Sequence, residues 1–158
     1  MTTALRLAGA EDMARLLPMV AAFQAEEGVT KTEDQLRAAL EPLLDGSPHG
    51  AVWLIGPARA PVGYIIVCFG WSVEFGGLDG FIDEFWIRPA VRGRGMGSEV
   101  LAALIPTLAE AGMKGLHLEV QDGKTGAQAL YARHGFRLRK GYRLMSWQAG
   151  APGPTLAP

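Results

Sequence analysis

The stretch RPAVRGRGMGSEVL, residues 88–101, decides how the rest of the chain is interpreted. Three glycines at alternate positions precede an apolar run with helical spacing; they are Gly93, Gly95 and Gly97. Glycine lets a backbone adopt positive φ and approach a ligand closely. The first turn of the following helix presents unpaired N–H groups and a partial positive charge, which favour an anion such as pyrophosphate. Arg92 and Arg94 add permanent cations at the same place.

Other glycine-rich motifs fit these residues poorly. A P-loop requires Gly-Lys-Ser/Thr, whereas this chain has Met96-Gly97-Ser98. The dinucleotide fingerprint G-x-G-x-x-G, begun at Gly93, would need glycine where Ser98 stands. RNA-binding RGG segments lie in disordered tracts, but this stretch lies between regular elements. On spacing alone, the remaining alternative to an anion site is a strand-to-helix turn with solvated arginines.

Outside this stretch, helix-like and strand-like patterns follow one another irregularly. Apolar periodicity predicts four helices, at residues 11–27, 32–44, 97–111 and 126–133. β-Branched and aromatic runs predict three strands, at residues 51–56, 61–71 and 78–87, and three more strands are expected at residues 2–7, 115–120 and 136–147. Because the helices interrupt the strands without strict alternation, the predicted class is α/β with a mixed sheet. One domain is expected over residues 1–148, followed by a flexible Pro- and Gly-rich tail over residues 149–158.

Composition excludes several classes of function. The net charge is −1, so no basic field is available to hold nucleic acid. No apolar run approaches the ~20 residues needed to span a bilayer, so no membrane association is expected. The single cysteine, Cys68, cannot form an internal disulfide, and we expect a buried thiol in a cytoplasmic protein. No metal is expected, because no His, Cys, Asp or Glu cluster has metal-ligand spacing.

Two blocks together resemble the GNAT superfamily of acetyl-CoA-dependent N-acetyltransferases. Residues 88–101 are similar to its acetyl-CoA loop, Gln/Arg-x-x-Gly-x-Gly/Ala, here Arg92-x-x-Gly95-x-Gly97. LHLEVQDGKTGAQALYARHGF, residues 116–136, is similar to the strand-turn-helix motif that follows in the family. The order of elements matches over roughly residues 3–148, and FIDEFWIRPAVRGRGMGSEVL resembles the corresponding stretch of diamine and polyamine acetyltransferases and related small-amine enzymes.

The resemblance implies a three-layer fold whose mostly antiparallel central sheet splays at the cofactor cleft. Acetyl-CoA would be the cosubstrate. Its pyrophosphate would be held by one continuous segment: Arg92, Gly93, Arg94, Gly95, Met96, Gly97 and Ser98. The backbone of the preceding strand would pair with the pantetheine arm, through Phe85, Trp86 and Ile87. Lys124 stands where the family often has a cofactor-contacting asparagine, and we assign it a cofactor contact.

Three residues are predicted to carry the chemistry. By its place in the later motif, Tyr131 corresponds to the family's general acid, and its alternative role is ordinary packing of a short helix. Asp83 and Glu84 interrupt an apolar strand, and adjacent strand residues point to opposite faces unless a bulge re-aims them. Similar strands in polyamine-type enzymes carry adjacent acids here. We assign Asp83 as the base and Glu84 as the alternative base or a substrate anchor, against the alternative of solvated strand-end acids.

The predicted function is acetyl transfer to a primary amine, and the acidic pair favours a small cationic amine. Three further acids are expected to add negative charge near the acceptor: Glu26, Glu27 and Glu74. The alternatives are acetylation of a protein lysine or N-terminus, and a sensor that binds acetyl-CoA without catalysis. The sequence does not determine the oligomeric state, and a homodimer is one alternative.

Overall fold

Five strands and four helices alternate irregularly in the computed structural model, which describes residues 3–150. The strands are β1 (Leu5–Leu7), β2 (Gly50–Ile55), β3 (Gly63–Ser72), β4 (Gly77–Ile87) and β5 (Gly115–Leu118). The helices are α1 (Met13–Glu26), α2 (Glu33–Leu44), α3 (Met96–Glu110) and α4 (Thr125–Arg133). The predicted capping box forms at the start of α2, where Thr32 and Gln35 each accept a hydrogen bond from the other's backbone N–H.

The sheet follows chain order, β1-β2-β3-β4-β5. The first four strands are antiparallel neighbours, and β5 runs parallel to β4, which confirms the predicted mixed α/β class. β5 pairs with β4 only over Asp79–Ile82, so the last five residues of β4 have no ladder partner on that side among residues 3–150. The sheet therefore opens between these two strands, as expected.

Helices cover both faces of the sheet, which gives two apolar clusters. Helices α1 and α2 pack against one face, around Leu16, Leu40, Tyr64 and Trp86. On the other face α3 packs through Val100, Leu101 and Leu104, together with side chains of β3 and β4. Because both faces are covered, β3 is buried on both sides and has a continuous apolar sequence rather than a polar alternation.

The predicted last strand, residues 136–147, does not form. The turn around Gly141, whose φ is +83°, divides the segment into two short arms. A strand requires a ladder partner, and neither arm has one among residues 3–150. The residue pattern of this segment therefore favours a strand, but the pattern alone does not provide the ladder partner that a strand requires. Of the predicted tail, residues 151–158 lie outside the described part of the chain, as does Thr2 of the predicted first strand.

Candidate active site

A cleft of about 570 Å³ lies where β4 and β5 separate. Its walls come from the end of β4, the loop and first turn of α3, the inner side of α4, and the end of α1. Ten of the fourteen predicted site residues line it: Phe85, Trp86, Ile87, Arg92, Gly93, Gly95, Met96, Gly97, Ser98 and Tyr131. The four predicted residues outside its lining are Asp83, Glu84, Arg94 and Lys124.

The glycine-rich loop presents its backbone to this cleft. Gly93 and Gly95 have φ values of +77° and +82°, which only glycine adopts without strain. A Cβ added at either position would meet no protein atom within 4 Å, so their open sides are free for a ligand. The first intrahelical bond of α3 runs from the Glu99 N–H to the Gly95 carbonyl. The three amides before Glu99 therefore have no partner within the helix, and they suit an anion.

Gly97 has a different function from the other two glycines. Its added Cβ would lie 3.2 Å from Leu130 Cδ2 and 3.7 Å from Phe85 Cζ. A Cβ at this position would crowd the Leu130 side chain of α4, whereas its distance from Phe85 is an ordinary van der Waals contact. Gly97 therefore allows α3 and α4 to pack closely beside the cleft, while Gly93 and Gly95 set the shape of the loop.

Arg92 is held by the end of α1. Its guanidinium contacts the Glu26 carboxylate at 2.9 Å, and its Nε donates to the Ile87 carbonyl at 2.6 Å. The Trp86 indole N–H also donates to Glu26, at 2.9 Å. These hydrogen bonds, from Trp86 first and then Arg92, lower the pKa of Glu26. These contacts hold the Arg92 side chain at the cleft wall.

A β-bulge in β4 places the two predicted acids. Ile66 of β3 is opposite Glu84 and Val67 is opposite Ile82, so Asp83 is the extra residue. The bulge puts Glu84 with Trp86 on the face covered by α1, where Tyr64 lies, and leaves Asp83 exposed. Simple alternation would have given Ile82 and Glu84 the same face. The bulge lies where β4 leaves β5, directly before the segment that lines the cleft.

Glu84 is buried and fully hydrogen-bonded. The Tyr64 hydroxyl donates to one carboxylate oxygen at 2.6 Å, and the Gln24 amide donates to the other. Burial raises the pKa of Glu84, partly offset by the Tyr64 hydrogen bond, and burial likewise raises the pKa of Tyr64. Sequence reasoning did not identify Tyr64 or Gln24. The only local sequence signal for either residue is a polar group within an otherwise apolar segment.

Asp83 makes no hydrogen bond to another described side chain, although desolvation of its carboxyl group raises its pKa. It is therefore the acid of this pair that is free to meet an incoming molecule. Tyr131, on α4, lies in the cleft wall with its ring edge-on to Phe136, the two centroids 5.8 Å apart. Burial raises the pKa of Tyr131, which keeps the phenol protonated at neutral pH.

Other predicted residues have partners away from the cleft lining. Lys124 contacts Glu27 at 3.1 Å, and Glu74 contacts Arg139 at 2.8 Å. With Glu26 paired to Arg92, all three acids expected near the acceptor are already compensated by basic side chains. A contact that sequence reasoning missed joins α3 to the end of α4. There Ser98 Oγ lies 2.7 Å from His134 Nε2.

Comparison with known proteins decides the family. The family model described as the acetyltransferase (GNAT) family matches residues 16–136 of this chain. The chain belongs to the GNAT acetyltransferase family. Members generally transfer an acyl group from acetyl-CoA to an amine, and the loop and cleft described above fit that cosubstrate.

Several solved structures have the same fold as this chain. An integron cassette protein from the mobile metagenome of Cole Harbour Salt Marsh is 31% identical, with a TM-score of 0.80 over 94% of this chain and 91% of that one. A proposed acetyltransferase from Arthrobacter sp. FB24 is 30% identical, with a TM-score of 0.74 over 92% and 93%. A predicted acetyltransferase from Clostridium acetobutylicum, solved with acetyl-CoA, shares the fold at 17% identity, with a TM-score of 0.74 over 91% and 96%. No curated protein sequence matches.

Residues 3–150 contain neither a cluster of metal-ligating side chains nor a helix suited to a bilayer. No group of three or more His, Cys, Asp or Glu side chains in that range is arranged to hold a metal ion. In the same range, every helix is too short or too polar to cross a bilayer.

Proposed function

We propose that this GNAT protein is an N-acetyltransferase that acetylates a small cationic primary amine. The observation that carries the proposal is the β4 bulge. It places an exposed, unpaired carboxylate, Asp83, directly before the strand segment that lines the acetyl-CoA cleft. Asp83 and Ile87 are roughly 13 Å apart along the strand. A cosubstrate reaching from the glycine loop to the acids must therefore be elongated, as acetyl-CoA is.

The chain's own residues would hold the cosubstrate at two places. The amides of the loop from Gly93 to Ser98, and Arg92, would hold its phosphates. The free backbone edge of β4 at Phe85–Ile87 would pair with the amide groups of its arm. Acetyl-CoA, when bound, supplies an activated thioester.

The acceptor must lose a proton before it can react. An alkylamine has a pKa near ~10.4, so at pH 7 the neutral form is scarcer by about 3 units, or roughly 4–5 kcal/mol. Asp83 would accept this proton, directly or through water, and its raised pKa makes it a better base than an ordinary aspartate. Glu84, held by Tyr64 and Gln24, would contribute negative charge that favours a cation beside Asp83.

Tyr131 would complete the reaction by donating its proton to the departing thiolate. Two observations support this role: the side chain lies in the cleft wall, and its buried phenol stays protonated at neutral pH. A small acceptor is favoured over a protein substrate because two ion pairs hold the end of α1 across the cleft. Glu26 contacts Arg92 on one side, and Glu27 contacts Lys124 on the other.

Substitution of the two acids should separate their roles. We expect Asp83→Asn to lower kcat and to abolish the acidic limb of the pH profile of kcat/KM. That limb should otherwise lie above the ordinary aspartate pKa of ~3.9, because desolvation raises the pKa of Asp83. Glu84→Gln should chiefly raise KM for a cationic amine. The measurement is the rate of thiol release at a series of pH values.

Glu110→Gln is the matched control, because Glu110 is an exposed acid at the far end of α3. It should leave kcat, KM and the pH profile unchanged. The assignment of Asp83 as base would be refuted by an Asp83→Asn enzyme that keeps its acidic limb and its kcat.

A further inference from the structure

A side-chain hydrogen bond joins the first turn of α3 to the end of α4. The Ser98 hydroxyl oxygen lies 2.7 Å from His134 Nε2, and the two residues are 36 positions apart in the sequence. Ser98 lines the cleft, and its backbone N–H is one of the three amides before Glu99 that have no partner within the helix. The contact therefore lies where the loop would receive a phosphate group of acetyl-CoA.

His134 occupies a position that suits a positive charge. It directly follows α4, and its backbone N–H contacts the carbonyls of Ala132 and Tyr131 at the end of that helix. Carbonyl groups at a helix C-terminus carry a partial negative charge, which favours a protonated imidazole. In the part of the chain that the structure describes, Ser98 is the one side chain hydrogen-bonded to the His134 ring, and no ion pair includes that ring.

The other charged side chains beside this contact are mostly basic. Arg133 precedes His134 and lines the cleft, Arg94 lies in the loop before α3, and Arg137 follows α4. The acid beside them, Glu99, is already hydrogen-bonded to the N-terminal segment. In the free protein the arginines oppose a proton on His134, and the phosphates of a bound acetyl-CoA would offset them. Binding of the anion therefore favours protonation of His134.

We propose that His134 positions the Ser98 hydroxyl to donate a hydrogen bond to a phosphate of acetyl-CoA, and that acetyl-CoA therefore binds most tightly when His134 is protonated. A protonated imidazole carries a hydrogen on both nitrogens, so its Nε2–H donates to the Ser98 oxygen and leaves the hydroxyl hydrogen for the cleft. In the neutral ring one nitrogen accepts, and when that nitrogen is Nε2 it takes the Ser98 hydrogen. The inference rests on the proposed phosphate site but not on the nature of the acceptor.

The direction of the pH dependence follows from this arrangement. A ligand that prefers the protonated form of a protein takes up protons when it binds, and its affinity rises as the pH falls. Histidine changes its charge between about pH 5 and pH 8. A hydrogen bond from a charged donor is roughly twice as strong as a neutral one, so we expect a gain of about 10-fold in affinity across that range.

Isothermal titration of the full chain with acetyl-CoA at a series of pH values tests the proposal. Repeating each titration in buffers of different ionisation enthalpy gives the number of protons taken up on binding. Between about pH 8 and pH 5 the affinity of the wild type should rise about 10-fold more than that of His134→Gln, which retains a side-chain donor to Ser98 but does not titrate. Protonation of acetyl-CoA itself is common to both proteins and cancels in the comparison.

Three further variants separate this account from a purely structural role of His134. Ser98→Ala should lose the extra proton uptake although His134 is still present, and His134→Lys, which keeps a charged donor, should bind tightly across the whole pH range. His49→Gln is the matched control, because His49 is exposed in the loop before β2, and it should keep the wild-type proton uptake.

The proposal is overturned if either His134→Gln or Ser98→Ala binds acetyl-CoA with the proton uptake of the wild type. Such a result leaves the phosphate site itself intact, because acetyl-CoA still binds. Normal affinity in a Gly95→Val variant would instead refute the phosphate site, and the proposal with it.

Discussion

Gly95→Val should abolish measurable binding of acetyl-CoA. Gly95 is the residue before α3, its φ is +82°, and its open side faces the cleft rather than protein. A branched side chain at this position would occupy the space in which a phosphate approaches the loop amides. It would also force the backbone out of the left-handed region, at a cost of about 1–2 kcal/mol. Isothermal titration with acetyl-CoA measures the loss, which we expect to exceed about 100-fold in affinity.

Gly112→Val separates the effect on binding from the effect of strain. Gly112 has a φ of +98° and, like Gly95, open space around an added Cβ, but it follows the other end of α3. It should therefore lose similar stability in thermal unfolding while retaining normal affinity for acetyl-CoA. If both variants bind acetyl-CoA equally well, the loop is not the phosphate site.

Tyr131→Phe should lower kcat by about 100-fold while affinity for acetyl-CoA is unchanged. The substitution removes only the hydroxyl, so the packing of the ring against Phe136 remains. Pre-steady-state measurement of thiol release gives the chemical step, and titration of acetyl-CoA serves as the internal control. A variant with full kcat would reduce Tyr131 to a packing residue of the cleft wall.

Local sequence patterns predicted most of the secondary structure. Apolar periodicity and the Thr32–Gln35 capping box located the helices, and runs of β-branched and aromatic residues located the three central strands, β2, β3 and β4. The glycine loop was also predictable, because positive φ at Gly93 and Gly95 is a property of the residue type itself. The one wrong element, the strand at 136–147, depends on a ladder partner that a pattern within the segment cannot reveal.

Contacts between distant segments could not be predicted. The hydrogen bonds of Glu84 with Tyr64 and Gln24 join residues 20 and 60 positions apart, and Glu26 contacts Arg92 across 66 positions. Such contacts depend on how the helices pack on the sheet. The sequence allowed for a bulge near Asp83 but did not show that one forms. That detail decides which acid is buried and which is free.

The central claim is that this protein acetylates a small cationic primary amine. Thiol release from acetyl-CoA with three matched acceptors tests that claim most directly. A linear diamine, a monoamine of the same chain length and the corresponding ω-amino acid present the same primary amine, with a positive, neutral or negative distal end. Mass spectrometry of each product would establish N-acetylation. We predict that kcat/KM falls in the order diamine, monoamine, ω-amino acid, and that Glu84→Gln reduces the preference. Equal turnover of all three acceptors, or no thiol release by a protein that still binds acetyl-CoA, would contradict the account.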